Sequence, residues 1–312
     1  MKSLHHPHTI GLGLAIFGAL LLTPDTLLMR ISELDGFAML VWRGGLSGIV
    51  YILIWMWFTL QDKRKMPAVL TINFGIIVLC QIANATFFSL AIAIAPVTVV
   101  LISVATVPIF ATILSRILLG EKLSKFSITM AALVLMGLYI SVLGQDATRI
   151  SIDGPTLLGA VLGLGVAFSL ALNFTIIRKD TTVPFILAIG FGAILAALLG
   201  ALCADKLYWP PTTNFLAIAF TGIVILPISF GTLSYAARFV PSSSVSLIML
   251  LETVFGPLWV WWGIGEAPTY AMLLGGSIVL FCLTAFLINQ GRIASAHAVE
   301  PKADLGQYPK EL

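Results

Sequence analysis

The sequence predicts an all-α membrane protein in which ten transmembrane helices form two inverted repeats of five helices each. The first observation is composition: 59% of the 312 residues are hydrophobic and 10% are charged, whereas a soluble domain has about 25% charged residues. The second is a series of ten apolar runs, each long enough to cross a bilayer. The third is an internal repeat, since three landmarks recur 145 residues apart: Pro96 and Pro241, Phe110 and Phe255, and Glu121 and Glu266.

The apolar runs set the predicted boundaries of the spans, because about 17–25 apolar residues cross the hydrocarbon core. The spans are placed near residues 10–29, 37–60, 68–93, 96–118, 127–143, 156–177, 184–203, 214–237, 242–264 and 269–289. We predict a first repeat over residues 1–145 and a second over 146–290. Because five is odd, the second repeat enters the membrane from the opposite side. The polar residues 291–312 are predicted to be a disordered cytoplasmic tail.

The distribution of basic residues predicts that both termini are cytoplasmic. In that orientation thirteen Lys and Arg residues lie on the cytoplasmic side, and three, Arg30, Arg149 and Lys206, lie on the other. Arg43 falls within a span. Cytoplasmic loops of membrane proteins carry an excess of Lys and Arg, and the asymmetry therefore fixes the predicted orientation.

Glu252 lies near the middle of the ninth predicted span. A charged side chain at the bilayer centre costs roughly 2.5–3.5 kcal/mol on the insertion scale. The side chain therefore faces protein or a wet cavity, is protonated, or has a partner. Two interpretations stay open: a carboxylate that couples protons or binds a substrate amine, and an interior polar group satisfied by a hydroxyl or by backbone near Pro257.

Asp25 and Arg43 are a second pair of charges inside the predicted spans. They stand nine residues before and nine residues after Leu34, where the first two spans turn, so we expect them at a similar depth. Pairing lowers the cost of burying both charges. The pair is interpreted either as a static brace of the hairpin, or as a site where Arg43 leaves Asp25 to hold a substrate carboxylate in two hydrogen bonds.

Further polar and aromatic residues recur at helical spacing on the predicted spans. These candidates for an amphipathic cavity are Gln81, Asn84, Phe88, Ser103, Thr106, Asn173, Tyr235, Phe255 and Trp259. The alternative use of each is an interhelical hydrogen bond, worth about 0.6 kcal/mol on average. Pro108 is expected to bend the fourth span or free a carbonyl.

Other features are interpreted as structural. Glu121 and Glu266 stand at span ends, where they can accept from exposed backbone N–H groups of the next helix. Gly44 and Gly48 form a small-xxx-small pair that allows close helix approach. The three cysteines fall inside apolar runs, and nothing resembles a phosphate loop, a Ser-His-Asp set or a zinc-ligand spacing. No cofactor, metal, catalytic residue or nucleic-acid partner is predicted.

The repeated segment has a recognisable pattern: a span ending in Ala, a Pro at the turn, a long apolar helix, then Gly-Glu. ANATFFSLAIAIAPVTVVLISVATVPIFATILSRILLGEKLS (Ala83 to Ser124) and SYAARFVPSSSVSLIMLLETVFGPLWVWWGIGEAPT (Ser234 to Thr269) both resemble the EamA-type unit of the drug/metabolite transporter superfamily. Arg43 within FAMLVWRGG resembles the Arg that opens the second span of that family. The resemblance implies two EamA-type repeats that move a small polar or zwitterionic metabolite, such as an amino acid, across a bacterial inner membrane by alternating access.

The first span departs from the commoner family pattern. It reads LLTPDTLLMR, and Asp25 at this position resembles a branch that includes uptake carriers for metabolites like S-adenosylmethionine. Uptake or exchange of a nucleoside-like compound is therefore the first alternative, and a membrane-embedded enzyme or sensor is an alternative of another class. The expected partners are a small-molecule substrate and the lipid bilayer, in a monomer or homodimer, with protons or passive exchange left open as the driving mode.

Overall fold

The structure is a computed structural model that describes residues 7–61, 71–95, 97–121, 125–143, 154–204, 209–265 and 270–299. All regular elements in these ranges are helical. In chain order they are α1 (Pro7–Leu22), α2 (Asp25–Ile31), α3 (Gly36–Met39), a π-helical segment (Leu40–Gly44), α4 (Gly45–Gln61), α5 (Ile72–Ile94), α6 (Val97–Val104), α7 (Val107–Leu119), α8 (Lys125–Leu143), α9 (Gly154–Lys179), α10 (Phe185–Cys203), α11 (Thr212–Phe220), a second π-helical segment (Thr221–Ile225), α12 (Leu226–Ala236), α13 (Ser242–Met249), α14 (Leu251–Ile264) and α15 (Tyr270–Val299).

Eight stretches of these helices are long and apolar enough to cross a membrane. They are Pro7–Ile31, Gly36–Gln61, Ile72–Ile94, Val99–Leu119, Gly154–Lys179, Phe185–Cys203, Thr212–Ala236 and Ser242–Gly263. Eight of the predicted spans are thereby confirmed as candidate spans. The other two, 127–143 and 269–289, fall on α8 and α15, whose apolar parts are the shorter Ile128–Gly137 and Leu273–Asn289.

The last helix overlaps the first residues of the predicted tail. Helix α15 continues to Val299, whereas the sequence led us to expect a tail without stable structure from residue 291. Alternate alanines in this stretch, Ala294, Ala296 and Ala298, explain the difference, because alanine is the best helix former. Residues 300–312 lie outside the described ranges.

Three spans that were expected to be continuous are broken in the middle. The first breaks at Thr23 and Pro24, the fourth at Ala105 and Thr106, and the ninth at Leu250. Proline lacks an N–H and cannot continue the helical ladder. Leu20 O therefore accepts from Thr23 N and Thr23 Oγ1, at 3.3 and 2.8 Å. The predicted effect of Pro108 is confirmed, since the fourth span breaks just before it and α7 begins with it in its first turn.

The same backbone features occur at matching positions of the two predicted repeats. The break at Ala105 in the fourth span and the break at Leu250 in the ninth are 145 residues apart. So are Gly120 and Gly265, which end α7 and α14 with φ of +68° and +82°. These left-handed conformations favour glycine, which has no Cβ to clash. The offset of 145 residues found in the sequence therefore also relates these features of the backbone.

Counterpart helices of the two repeats pack against each other in opposite directions. In the α4–α10 pair, a Cβ at Gly48 would meet Gly190 O at 2.9 Å, whereas a Cβ at Gly200 would meet Leu40 at 3.2 Å. In the α8–α15 pair, Phe126 stacks on Phe286 and Gly137 lies against Gly275. Rising numbers on one helix meet falling numbers on the other, so both pairs are antiparallel. The close glycine packing expected of Gly48 occurs within this single chain.

One end of the bundle, called here the basic end, gathers the last turns of α7, α9 and α12 and the first turns of α5, α10 and α13. Its basic residues are Arg116, Arg178, Lys179 and Arg238. Arg238 donates to Val183 O at 2.7 Å, and Asn73 Nδ2 donates to Asp180 Oδ2 at 2.8 Å. Hydrogen bonds from Thr182 and then from Asn73 hold the pKa of Asp180 below its usual value. The opposite end, called the far end, carries a cluster of Trp42, Trp209 and Phe215.

Candidate functional site

A small cavity lies in the middle of the helix bundle. Its volume is about 40 Å³, room for a few water-sized groups. Residues before 145 supply most of its polar lining, and Glu252 comes from the later part of the chain. Its polar and aromatic lining residues are Asp25, Arg43, Ser47, Tyr51, Gln81, Asn84, Phe88, Ser89, Phe230 and Glu252.

The local backbone positions the first charged pair. Asp25 is the first residue of α2, directly after the break, and Arg43 lies in the π-helical segment of the second span. Arg43 Nη2 donates to Asp25 Oδ2 at 2.5 Å, and both residues are buried. The amino end of a helix favours a negative charge, and π segments often occur at functional sites. The predicted pairing of Asp25 and Arg43 is confirmed.

The pair leaves hydrogen-bonding capacity unused. Asp25 Oδ1 and Arg43 Nε have no hydrogen-bond partner among the described residues. The Arg43 guanidinium also lies 5.6 Å from the centre of the Phe88 ring, within the range of a cation–π contact. Buried polar groups in folded proteins nearly always have partners, so these free atoms are suited to a ligand in the cavity.

Glu252 brings a second carboxyl group to the same cavity. It is buried, 7% exposed, and lies in the first turn of α14, directly after the break at Leu250. Two carboxyl groups and one guanidinium therefore share a site with little access to water. With both carboxyl groups ionised the site would hold an uncompensated negative charge, which burial strongly disfavours. The cavity is chemically prepared to accept one more positive charge, as a proton or as an ammonium group.

Four polar or aromatic lining residues were missed by the sequence reasoning: Ser47, Tyr51, Ser89 and Phe230. Tyr51 Oη donates to Leu226 O at 2.7 Å, which ties the second span to the eighth beside its π-helical segment. A signal was present in the sequence, because Arg43, Ser47 and Tyr51 recur every four residues and so share a helix face. Residues with hydroxyl groups are common in apolar helices, so this spacing alone does not predict a functional site.

The predicted site residues fall into two groups. Those that line the cavity are Asp25, Arg43, Gln81, Asn84, Phe88 and Glu252. Those that the structure places outside its lining are Ser103, Thr106, Asn173, Tyr235, Phe255 and Trp259. The residues of the first group lie at the level of the bundle where the helices break. Helical spacing predicts which residues share a face of a helix, but it does not predict which of them lie at this level.

The residues outside the lining have other surroundings. Ser103 Oγ donates to Val99 O and Thr106 Oγ1 donates to Ser103 O, so both hydroxyls satisfy their own broken helix. Trp259 Nε1 donates to Thr23 Oγ1 at 2.8 Å, which joins the break of the first span to α14. Tyr235 lies near the end of α12, stacks on Phe185 and is 44% exposed.

The remaining two are buried to different degrees. Asn173 is 2% exposed, and its Oδ1 has no partner within the described ranges. Phe255 is half-buried and packs on the apolar core. Neither belongs to the lining because the cavity ends one turn away, at Leu170 on α9 and at Glu252 on α14.

Glu121, which was expected to have a structural role, has a side-chain partner on another helix. Its carboxylate accepts from Arg178 Nε of α9 at 2.7 Å. The long Arg178 side chain reaches Glu121 because α7 and α9 end side by side. Glu266, the counterpart of Glu121, lies outside the described residues.

Residues 9–143 match the model of the EamA-like transporter family. Over these residues, which are less than half of the chain, the protein is similar to EamA-like transporters. The match covers the first predicted repeat, and the resemblance stated from the sequence is confirmed there. This match and the eight apolar candidate spans agree on a multi-pass protein of a membrane.

Two further comparisons are with individual proteins. The uncharacterized transporter YdfC of Bacillus subtilis (strain 168) is 26% identical over 195 residues, which is 60% of this chain. The match spans 62% of the length of that relative. A crystal structure described only as "Crystal structure of protein" is similar over 91% of this chain and 99% of its own, with a TM-score of 0.75 and 18% identity. At that identity the likeness shows the fold alone.

Proposed function

We propose that this EamA-like chain is a secondary active transporter that moves a small polar or zwitterionic metabolite, such as an amino acid, across a bacterial inner membrane. Ten spans form two inverted repeats, over residues 1–145 and 146–290, and both termini are cytoplasmic, so that the basic end faces the cytoplasm. The observation that carries the proposal is the buried cavity between the repeats, which holds Asp25, Arg43 and Glu252. Transporters with inverted repeats bind their substrates in this position.

The direction of the helices supports the inversion. A duplication with both copies in the same orientation would place counterpart helices parallel to each other. The α4–α10 and α8–α15 pairs instead run antiparallel. A repeat of five spans explains the antiparallel pairs, because after five crossings the chain starts the second copy from the opposite side of the membrane.

The chemistry of the cavity supports a zwitterion as substrate. The planar guanidinium of Arg43 matches a carboxylate in two parallel hydrogen bonds, and its Nε is free among the described groups. Glu252 and Asp25 can hold the ammonium group of the same molecule. Phe88 and Phe230 add apolar surface to the cavity, where a side chain of the substrate would lie.

The size of the cavity supports alternating access. A volume of about 40 Å³ is too small for an amino acid, so the helices around it must separate for binding. The breaks at Pro24, Thr106 and Leu250 lie beside the cavity. Interrupted helices at a substrate site are typical of transporters in which one bundle moves against the other.

A nucleoside-like metabolite such as S-adenosylmethionine is the second candidate substrate. It is favoured by Asp25 in the first span, which is similar to the uptake branch of the family, and by the two phenylalanine rings of the cavity, on which a base can stack. A panel of radiolabelled amino acids together with S-adenosylmethionine separates the two candidates. Recovery of unchanged label also separates a transporter from a membrane-embedded enzyme, which would alter its substrate.

Glu252 is proposed as the group that couples transport to protons. In liposomes containing the purified protein, Glu252→Gln is expected to abolish uptake driven by a pH gradient, because glutamine cannot release a proton. Counterflow, which needs no net proton movement, is expected to persist. Glu33→Gln is the matched control, since Glu33 is an exposed carboxylate away from the cavity, and its driven uptake should equal wild type. Undiminished pH-driven uptake by Glu252→Gln contradicts the coupling role.

A further inference from the structure

Buried polar side chains continue from the cavity toward the basic end. One residue on each of three helices forms the next layer: Asn173 on α9, Ser234 on α12 and Ser246 on α13. These three are called the inner layer. All three are at most 2% exposed. The proposed function leaves this layer without a role.

Helix geometry places the inner layer directly next to the cavity. Leu170 lines the cavity, and Asn173 follows it by three residues. Ser234 follows the lining residue Phe230 by four. Residues three or four apart lie on one face of a helix, one turn from each other. Because α9 and α12 both end at the basic end, both steps lead in that direction.

The third helix runs the opposite way and gives the same result. Ser246 precedes the lining residue Met249 by three residues, and α13 begins at the basic end. The three side chains therefore occupy one level of the bundle, one turn from the cavity toward the basic end.

The inner layer contains polar atoms that are not satisfied in this state. Asn173 Oδ1 and Ser234 Oγ have no hydrogen-bond partner in the part of the chain that the structure describes. Buried polar groups without partners destabilise a fold, and each occurrence needs an explanation. A conformation in which a hydrated solute or water reaches this layer supplies the missing partners.

A cluster of three hydroxyl groups lies next to the inner layer, on the side of the basic end. Ser242 Oγ lies 2.7 Å from Ser115 Oγ and 3.2 Å from Thr175 Oγ1. The three residues come from α13, α7 and α9, so the hydroxyl cluster joins both repeats. Ser246 Oγ donates to Ser242 O at 2.8 Å, which connects the cluster to the inner layer.

The ion pair of Arg178 and Glu121 lies next to the hydroxyl cluster on the side of the basic end. Arg178 follows Thr175 by one turn of α9, and Glu121 N donates to Ser115 O. Contacts of this kind exchange readily for contacts with water, because hydroxyl groups and half-exposed charges are well solvated when they separate.

We propose that the inner layer is the route by which polar solutes pass between the cavity and the basic end, and that the Ser115–Ser242–Thr175 cluster is its gate. The proposal rests on the proposed function, since a route of this kind serves a site at the midplane. In this structure the gate is closed by contacts between the two repeats. Opening breaks the hydroxyl cluster and hydrates Asn173 and Ser234.

Cysteine labelling tests the route without knowledge of the substrate. Single cysteines are introduced as Asn173→Cys or Ser234→Cys in full-length protein whose Cys80, Cys203 and Cys282 are replaced by alanine. The probe is a membrane-impermeant, charged methanethiosulfonate reagent added to one side of sealed vesicles. Lys179→Cys identifies the side of the basic end, because Lys179 is exposed there. Ala193→Cys is the matched control, because Ala193 is fully buried on α10, a helix that belongs neither to the described cavity lining nor to the hydroxyl cluster.

The route predicts that Asn173→Cys and Ser234→Cys react from the side that labels Lys179→Cys, and that Ala193→Cys does not. Equal protection of Asn173→Cys, Ser234→Cys and Ala193→Cys overturns the route, and so does labelling from the far side alone. Two positions on different helices keep the test decisive if one variant does not fold.

A second variant tests the gate. Ser242→Ala removes the hydroxyl shared by both contacts of the cluster, so it should raise the labelling rate of Asn173→Cys several-fold. Ser277→Ala is the control, because Ser277 is exposed on α15 and bonds its own helix. An unchanged rate in Ser242→Ala overturns the gate. Labelling also distinguishes this inference from the proposed function: labelled cysteines without counterflow of any panel compound retain the route and contradict transport of those compounds.

Discussion

Two ion pairs, one in the middle of the bundle and one at its basic end, have similar geometry and opposite surroundings. Arg43 and Asp25 approach to 2.5 Å with side chains 8% and 1% exposed, whereas Arg178 and Glu121 approach to 2.7 Å with side chains 24% and 30% exposed. The first pair joins the first two candidate spans. The second joins the end of α7 to the end of α9, which belong to different predicted repeats.

The difference in burial decides what each pair can do. A buried pair is costly to break by removal of one partner, because the other charge stays in a medium that cannot solvate it. A half-exposed pair separates at little cost, because water solvates both charges. The central pair is therefore suited to a site in which a substrate takes the place of one partner. The peripheral pair is suited to a contact that opens and closes between the repeats.

Removal of the central arginine should give the largest effect. Arg43→Ala leaves Asp25 buried without its partner and is expected to lower the free energy of unfolding by about 3–5 kcal/mol. Denaturant or thermal unfolding of the purified protein in detergent measures the change. A loss below about 1 kcal/mol, the value typical of exposed pairs, would show that the cavity is open to water around Asp25.

Removal of both central charges should have an intermediate effect. In Asp25→Leu/Arg43→Met neither member of the ion pair is left without the other, so the double variant should be more stable than Arg43→Ala and retain most of the wild-type stability. The same unfolding measurement applies. Transport should be lost in this variant although it folds, because the groups that hold the substrate are absent. Transport at the wild-type rate would assign the pair to structure alone.

Removal of the peripheral arginine should give the smallest effect. Arg178→Ala is expected to change the free energy of unfolding by about 0–1 kcal/mol, because the pair is partly solvated. Salt should weaken the wild-type pair further, since the Debye length falls to about 3 Å at 1 M ionic strength. Unfolding at low and high salt measures both. A loss as large as that of Arg43→Ala would remove the distinction between the two pairs.

The sequence was sufficient for the positions of the candidate spans and for the pairing of Asp25 with Arg43. The spans can be predicted because long runs of apolar residues are typical of segments surrounded by lipid or by a large core. The pairing follows from equal distances to the turn at Leu34 and from the high cost of an isolated intramembrane charge. Both are local arguments, and they need no knowledge of how the two repeats meet.

The sequence was insufficient for the cavity, because the cavity depends on breaks and on packing between distant helices. The break at Leu250 has no proline or glycine beside it, so the sequence does not predict that the helix breaks there. That break places Glu252 in the first turn of α14, facing Asp25 and Arg43. Thr106 was placed in the cavity by spacing, yet it lies at the matching break of the fourth span and satisfies its own backbone.

Counterflow in liposomes is the most direct test of the claim that the cavity between the repeats is the transport site. Arg43→Lys keeps the charge and removes the planar fork that binds a carboxylate in two hydrogen bonds, and Arg178→Lys is the matched control at the basic end. Wild type and Arg178→Lys should exchange a labelled compound of the amino-acid and S-adenosylmethionine panel with equal half-saturating concentrations. Arg43→Lys should need about tenfold more substrate, which corresponds to about 1.4 kcal/mol of lost binding energy. Equal half-saturation in all three proteins, with well-folded Arg43→Lys, would contradict the account.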